Sequence, residues 1–250
     1  MELQSHREFK NSNFDARLRR KYEQDGVLSI DLNLESHLIE QVKADTLAYF
    51  PCIEAAPIKR VQDAWQNSFA IKKLALHERV LSLLRFLYKR EPLPFQTLNF
   101  PVGTQQPAHS DTIHFNSEPA GLMCGVWVAL EDIDAGNGPL VYYPGTHKLP
   151  ELKMHHINCR AETAEYRKYE VHIQKMIMTA GWTPKYGLVK KGTCIIWAAN
   201  LLHGGALQLE PGRTRLSQVT HYFMSGYEYL YTPMLSPKGQ PKLRNPCWIS

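Results

Sequence analysis

Three residues set the chemistry this chain can attempt. His109-Ser110-Asp111 places an imidazole and a carboxylate two positions apart, and His203 follows after about ninety residues. Two imidazoles and one carboxylate make a facial triad, a usual holder for non-haem Fe(II) that leaves coordination positions open. Side chains i and i+2 of a strand project to the same face. The spacing therefore predicts that His109 and Asp111 sit on a strand and reach one ion from one side of a sheet. With 11 histidines in the chain, a His-x-Asp pair is weak by itself, and its plain alternative is a loop histidine beside a turn aspartate. The surroundings of His203 weigh against that alternative.

Cys194-Ile195-Ile196-Trp197 reads as a buried strand, and His203-Gly204-Gly205 lies just beyond it, where paired glycines allow close backbone approach. Arg215 and Ser217 follow with the same two-residue period. A guanidinium fork and a hydroxyl on one face can grip a carboxylate. An open iron site with a carboxylate grip a dozen residues later suits a 2-oxoglutarate cosubstrate. Its 2-oxo acid end chelates the metal and its far carboxylate meets the arginine.

Three blocks carry a resemblance to a known family. They are His109-Ser110-Asp111; Gly136-Asn137-Gly138-Pro139-Leu140 leading to Pro144-Gly145-Thr146-His147; and His203-Gly204-Gly205 with Arg215. In order and spacing they resemble the phytanoyl-CoA dioxygenase-like group of Fe(II)/2-oxoglutarate oxygenases, over about half of the chain, from Gln96 to Phe223. The resemblance implies His109, Asp111 and His203 as iron ligands, Arg215 and Ser217 on the cosubstrate carboxylate, and Gln96 touching the cosubstrate. It also implies Fe(II), 2-oxoglutarate and O2 as cofactors, with hydroxylation of a small molecule and release of succinate and CO2. Related halogenases carry glycine where this chain has Asp111, so the carboxylate argues for hydroxylation, desaturation or cyclisation. Thr193 stands where many relatives have aspartate, remote from the metal. Arg213 competes with Arg215 for the carboxylate role; Arg215 is chosen because Leu216-Ser217 follows it and His221-Tyr222-Phe223 lies six residues on.

Elements must hold these side chains in place. Apolar spacing predicts helices over Phe14–Gln24, Leu34–Tyr49 and Ala70–Tyr88. From Phe95 the pattern changes to short strands punctuated by Gly, Pro and Asn: Phe95–Phe100, Gly121–Leu130, Pro139–Tyr143, Cys194–Trp197 and Arg215–Met224. Ala161–Met178 reads as a charged helical insertion, and Glu165–Glu170 as a solvent-facing stretch. The expected fold is mainly β with flanking helices, a double-stranded β-helix or jelly-roll of cupin type. It is read as a single oxygenase domain over 1–250: a helical N-terminal part at 1–94, a jelly-roll core at 95–226 with an insertion at 150–180, and an irregular tail at 227–250.

Composition agrees with a globular enzyme: 250 residues, 44% hydrophobic and 21% charged, ordinary values. The net charge of +5 fits a solvated surface and leaves an anionic substrate open. The basic run Arg17-Leu18-Arg19-Arg20-Lys21 is too short to point to nucleic acid. No apolar stretch approaches membrane-spanning length, and the polar N-terminus lacks a signal-peptide core, so the expected location is cytoplasmic. Five scattered cysteines without CxxC spacing read as free thiols, Cys124 and Cys194 in the core. His114, Phe115, Trp127 and Trp197 are the candidate substrate contacts, His155-His156 read as surface, and His221 reads as a satisfied core histidine. Two rivals stand beside the oxygenase: a non-catalytic 2-oxoglutarate and metal-binding sensor, and a zinc hydrolase using the same triad. The substrate, whether acyl compound, amino acid or natural product, and the oligomeric state have no readable code.

Overall fold

The computed structural model describes residues 13–51, 60–232, 234 and 240–250. Five α-helices are present among them: α1 (Asn13–Asp25), α2 (Ser36–Leu47), α3 (Phe69–Ala75), α4 (Glu78–Tyr88) and α5 (Tyr166–Ala180). The strands are β1 (Val27–Asp31), β2 (Val61–Gln62), β3 (Pro92–Phe100), β4 (Phe115–Glu118), β5 (Met123–Ala129), β6 (Leu140–Tyr142), β7 (Lys185–Tyr186), β8 (Thr193–Ala198), β9 (His203–Gly205), β10 (Ser217–Met224), β11 (Glu228–Tyr231) and β12 (Lys242–Leu243). They form one six-stranded sheet in the order β1-β8-β5-β10-β3-β2 and two three-stranded sheets, β12-β11-β4 and β7-β6-β9. The named strand pairs are antiparallel. This is the mainly β architecture of the jelly-roll type with flanking helices.

The six-stranded sheet is buried on both faces, and strand parity sorts its residues. Cys124, Val126 and Val128 of β5, Cys194 and Ile196 of β8, and Tyr222 and Met224 of β10 join Ile39, Val42, Ile71, Leu74, Leu83, Leu84 and Leu87 in the largest apolar cluster. Polar residues on this helix-covered face tie down helix ends. The Gln218 amide donates to the Ile71 carbonyl at 3.1 Å and the Tyr222 hydroxyl to the Ala75 carbonyl at 2.7 Å. Both carbonyls belong to α3, and that of Ala75 is among its last four, which have no partner inside the helix.

Several expectations need correction. The helix expected over Ala70–Tyr88 is two helices, because His77 adopts an extended conformation and caps α4 after α3 has ended. The N-terminal part is not purely helical: β1 closes one edge of the large sheet against β8, and β2 the other against β3. The tail is not wholly irregular, since β11 pairs with both β4 and β12. β3 begins at Pro92, ahead of the expected Phe95. β2 pairs with β3 only at Leu98 and Asn99, so Pro92 and Pro94 lie where one side of the strand needs no donor. Within Glu165–Glu170, Tyr169 is fully buried. Cys124 and Cys194 are buried and free, while Cys52 lies outside the described residues. No helix among the described residues is long and apolar enough to cross a membrane.

Candidate metal centre

The opposite face of the large sheet, together with β4, β6 and β9, walls a cavity of about 260 Å³. Gln96, Leu98 and Phe100 of β3, Trp127 of β5, Trp197 of β8, and Val219 and His221 of β10 line it. His109, Asp111 and His203 line it too and are buried.

His109 and His203 form an isolated antiparallel bridge with both backbone hydrogen bonds, at 2.9 and 3.0 Å. Contrary to expectation, Asp111 does not lie on a strand; it opens a 3-10 turn, Asp111–Ile113. The shared side survives because Ser110 between them is extended, with φ −108° and ψ 141°. Ser110 is also the anchor of the motif. Its N–H donates to the Tyr169 hydroxyl of α5 at 3.0 Å, and its hydroxyl donates to the Asn200 side-chain oxygen at 3.1 Å. The Asn200 amide in turn donates to the Leu149 carbonyl at 2.7 Å.

The donor chemistry suits a divalent ion. The Nδ1 of His109 lies 2.9 Å from the Pro107 carbonyl, and the Nδ1 of His203 lies 2.9 Å from the Leu201 carbonyl. A carbonyl can only accept, so each Nδ1 carries the proton and each Nε2 keeps a lone pair for the metal. The Asp111 Oδ1 faces both, 3.9 Å from His109 Nε2 and 3.7 Å from His203 Nε2. Two ligands sharing an ion at about 2.1 Å each can stand up to about 4.2 Å apart, and both separations fall below that. Burial pushes the His109 imidazole down to about 3, so it is neutral at physiological pH. Burial alone would raise the Asp111 carboxyl. The surrounding imidazoles, His203 first, outweigh it and hold the carboxyl below its ordinary range. Among the described residues these three are the group of His, Cys, Asp and Glu side chains able to hold a metal.

The other end of the cavity is built for an anion. Arg215 is buried and donates to the Ser217 hydroxyl at 2.6 Å. Its guanidinium sits over the rings of Phe100 and Trp127, 5.4 and 5.7 Å from their centroids. Its Nε and the Trp127 Nε1 are both buried donors without an acceptor. Buried donors left without an acceptor are costly. Burial lowers Arg215 to about 10, which still leaves it charged at neutral pH. Glu131 braces the segment, accepting from the Leu216 N–H at 2.6 Å and the Thr214 hydroxyl at 2.8 Å. Arg213 is elsewhere, half-exposed in ion pairs with Asp134 and Glu210.

The remaining site residues divide. Gln96 lines the cavity and accepts from His221 Nδ1 at 3.0 Å. His114 and Phe115 line the wall; burial depresses the His114 imidazole, and its Nδ1 has no partner. Trp127 accompanies Arg215, and the Trp197 indole N–H donates to Asp111 Oδ2 at 2.7 Å. His221 is buried with Nδ1 bonded, as expected, and it also lines the cavity, with Nε2 3.6 Å from Asp111 Oδ2. Its strand parity with Arg215 and Ser217 was the available signal. No motif singled out Gln106, whose amide lies 3.4 Å from His109 Nε2, or Arg60 and Gln62 at the wall. His155 and His156 are exposed.

Comparison with known proteins gives this arrangement a context. A profile described as phytanoyl-CoA dioxygenase matches residues 22–208. The peroxisomal phytanoyl-CoA dioxygenase of Rattus norvegicus is 33% identical over 132 residues, which are 51% of this chain and 36% of the rat protein. The match thus spans about a third of that relative's length. Among solved structures, the non-heme alpha ketoglutarate dependent carbocyclase SnoK from nogalamycin biosynthesis superposes with a TM-score of 0.71 at 16% identity, covering 91% of this chain and 89% of that one. EctD from S. alaskensis, solved with 2-oxoglutarate and 5-hydroxyectoine, gives 0.66 at 17% identity, covering 96% and 88%.

Proposed function

The chain belongs to the phytanoyl-CoA dioxygenase family, and on that premise we propose that it is an Fe(II)- and 2-oxoglutarate-dependent oxygenase. It hydroxylates a C–H bond of a small molecule and releases succinate and CO2. The observation that carries this reading is the pairing of two features in one cavity: a buried two-histidine, one-carboxylate set and, beyond it, a buried arginine with a stranded N–H. A zinc hydrolase would need the triad and leave Arg215 without a task. A sensor would need both, but nothing in the site departs from what turnover requires.

His109 Nε2, His203 Nε2 and Asp111 Oδ1 would hold the iron. Arg215, Ser217 and the Trp127 N–H would take the far carboxylate of 2-oxoglutarate, with Gln96 and His221 along its side. Iron with this cosubstrate supplies the oxidising power to break a C–H bond. The chain supplies position and dryness: the Nδ1 bonds fix both imidazoles, Tyr169 and Asn200 fix the turn that carries Asp111, and aromatic walls exclude water. The substrate is placed against His114 and Phe115, with the Arg60 side chain the nearby cation for an anionic group. Trp127 and Trp197, first read as substrate contacts, serve the cosubstrate and Asp111 instead. We read the chain as one oxygenase domain and its location as cytoplasmic, although the rat relative is peroxisomal; fractionation of the source cells tests the latter.

The deciding experiment incubates the protein anaerobically with Fe(II) and 2-oxoglutarate, admits O2, and measures succinate. Succinate release dependent on all three is expected. Saturable 2-oxoglutarate binding without succinate, across a panel of candidate substrates, would favour the sensor. Hydrolysis in zinc without 2-oxoglutarate would favour the hydrolase. Because Asp111 fills the position that a halide would need, products formed in chloride buffer should lack the chlorine isotope doublet. The carbocyclase among the fold neighbours keeps ring closure beside hydroxylation as an outcome.

A further inference from the structure

We infer that Trp197 is a positioning residue for the metal centre, holding the Asp111 carboxylate so that a single oxygen is offered to the ion, and that Gly125 exists to make room for it. The inference rests on the reading of His109, Asp111 and His203 as a metal site. Its basis is the way the two oxygens of one carboxylate are divided. Oδ1 faces His109 Nε2 and His203 Nε2. Oδ2 is turned away and receives the Trp197 indole N–H at 2.7 Å, in a buried environment. A charge-assisted hydrogen bond of this length in a dry site is strong. His221 Nε2 also faces Oδ2, at a longer 3.6 Å. The same indole lies against the His203 imidazole, with ring centroids 4.5 Å apart. Trp197 therefore touches two of the three ligands and fixes the rotation of the carboxylate between them.

The neighbouring strand is shaped to this task. Gly125 of β5 pairs directly with Trp197 of β8. A Cβ at position 125 would stand 2.3 Å from two carbons of the indole, a separation no real contact allows. Glycine inside a strand weakens it and marks a close approach. Here the approaching group is the ring that holds a ligand. Position 125 is thus coupled to the metal without itself having a polar side chain.

The test uses the full chain and Co(II) as the probe, in the absence of 2-oxoglutarate and substrate. Trp197→Phe keeps an aromatic ring at this position and removes the N–H together with part of the indole. It should weaken Co(II) binding about 10- to 100-fold, the range usual for loss of a group that orients a ligand. It should also change the visible Co(II) spectrum, because the freed carboxylate can rotate or chelate through both oxygens. The metal-free variant should remain folded, with a melting temperature lowered by the smaller buried ring. Gly125→Ala, which displaces the indole without deleting it, should reproduce both the affinity loss and the spectrum. The double variant should be little worse than Trp197→Phe alone, since both act through one contact. Wild-type affinity and an unchanged spectrum in Trp197→Phe, with wild type itself binding Co(II), would overturn the inference and leave the metal site standing. If the wild-type chain takes up no Co(II), the metal reading falls, and this inference with it.

Discussion

The two faces of the six-stranded sheet are made by the same strands and have opposite characters. On the helix-covered face, Val126, Ile196, Tyr222 and Met224 pack into the main core, and Gln218 and Tyr222 spend their donors on α3 carbonyls. One residue along each strand, the cavity face presents Trp127, Trp197, His221 and the Arg215–Ser217 pair. There, Arg215 Nε and Trp127 Nε1 are buried without acceptors. The first face lowers the free energy of the folded chain; the second raises it in readiness for ligands. A register of two keeps them apart, because a slip of one residue would exchange them.

Asp111→Gly should break this division most completely on the functional side. Succinate formation should fall below detection and Co(II) uptake should be lost, while urea unfolding changes little because no apolar surface is lost. A collapse of stability instead would mean that the two faces are not separable. Ile196→Ala makes the converse cut. It should cost about 2–5 kcal/mol of stability, as for other buried large-to-small changes, yet leave Co(II) affinity at low temperature intact. A smaller effect is expected within the cavity face. Arg215→Met should weaken 2-oxoglutarate binding by about 1.5–3 kcal/mol, the scale of a charged hydrogen bond, without lowering the melting temperature of the free protein, since it removes a buried charge lacking a carboxylate partner. Arg213→Ala should leave 2-oxoglutarate binding unchanged, and losing its exposed ion pairs should cost under about 1 kcal/mol. Calorimetric titration of both variants reads the contrast; dependence on Arg213 would show that the wrong arginine has been assigned to the cosubstrate.

What could be read from the sequence was what period and spacing encode. His109, Asp111, His203 and Arg215 lie in short local patterns, and the main strands of the large sheet alternate or run apolar. β1 escaped because it is five residues long, with the burial pattern of an edge rather than a clean alternation. The break between α3 and α4 escaped because the apolar spacing continues across Leu76 and His77 while the backbone does not. Trp197 was read as a substrate contact; its hydrogen bond to Asp111 spans 86 positions, and no local pattern encodes such a contact. Tyr169 shows the same limit from another side. Its neighbours are charged, so the segment reads as solvent-facing, yet helical geometry turns that one ring inward to the Ser110 N–H. His221 was read as a satisfied core histidine, and it is buried with Nδ1 bonded to Gln96; that it also borders the cavity was not read. A strand period tells which side a group faces, not whether that side is filled with side chains or left open.

The paired backbone hydrogen bonds between His109 and His203 make the two imidazole ligands cross-strand partners. A rung of sheet and an ion held by these two side chains fasten the same seam. Closing the intervening loop of about ninety residues costs on the order of 4 kcal/mol from its length alone. The backbone rung closes that loop, and an ion held by the two imidazoles would close it a second time. The linkage runs both ways: an ion bound only by the closed form holds the seam against fraying, and anything that pries the rung apart also ejects the ion. For this chain, the grip on the metal and the integrity of the seam are one thermodynamic quantity measured at two places.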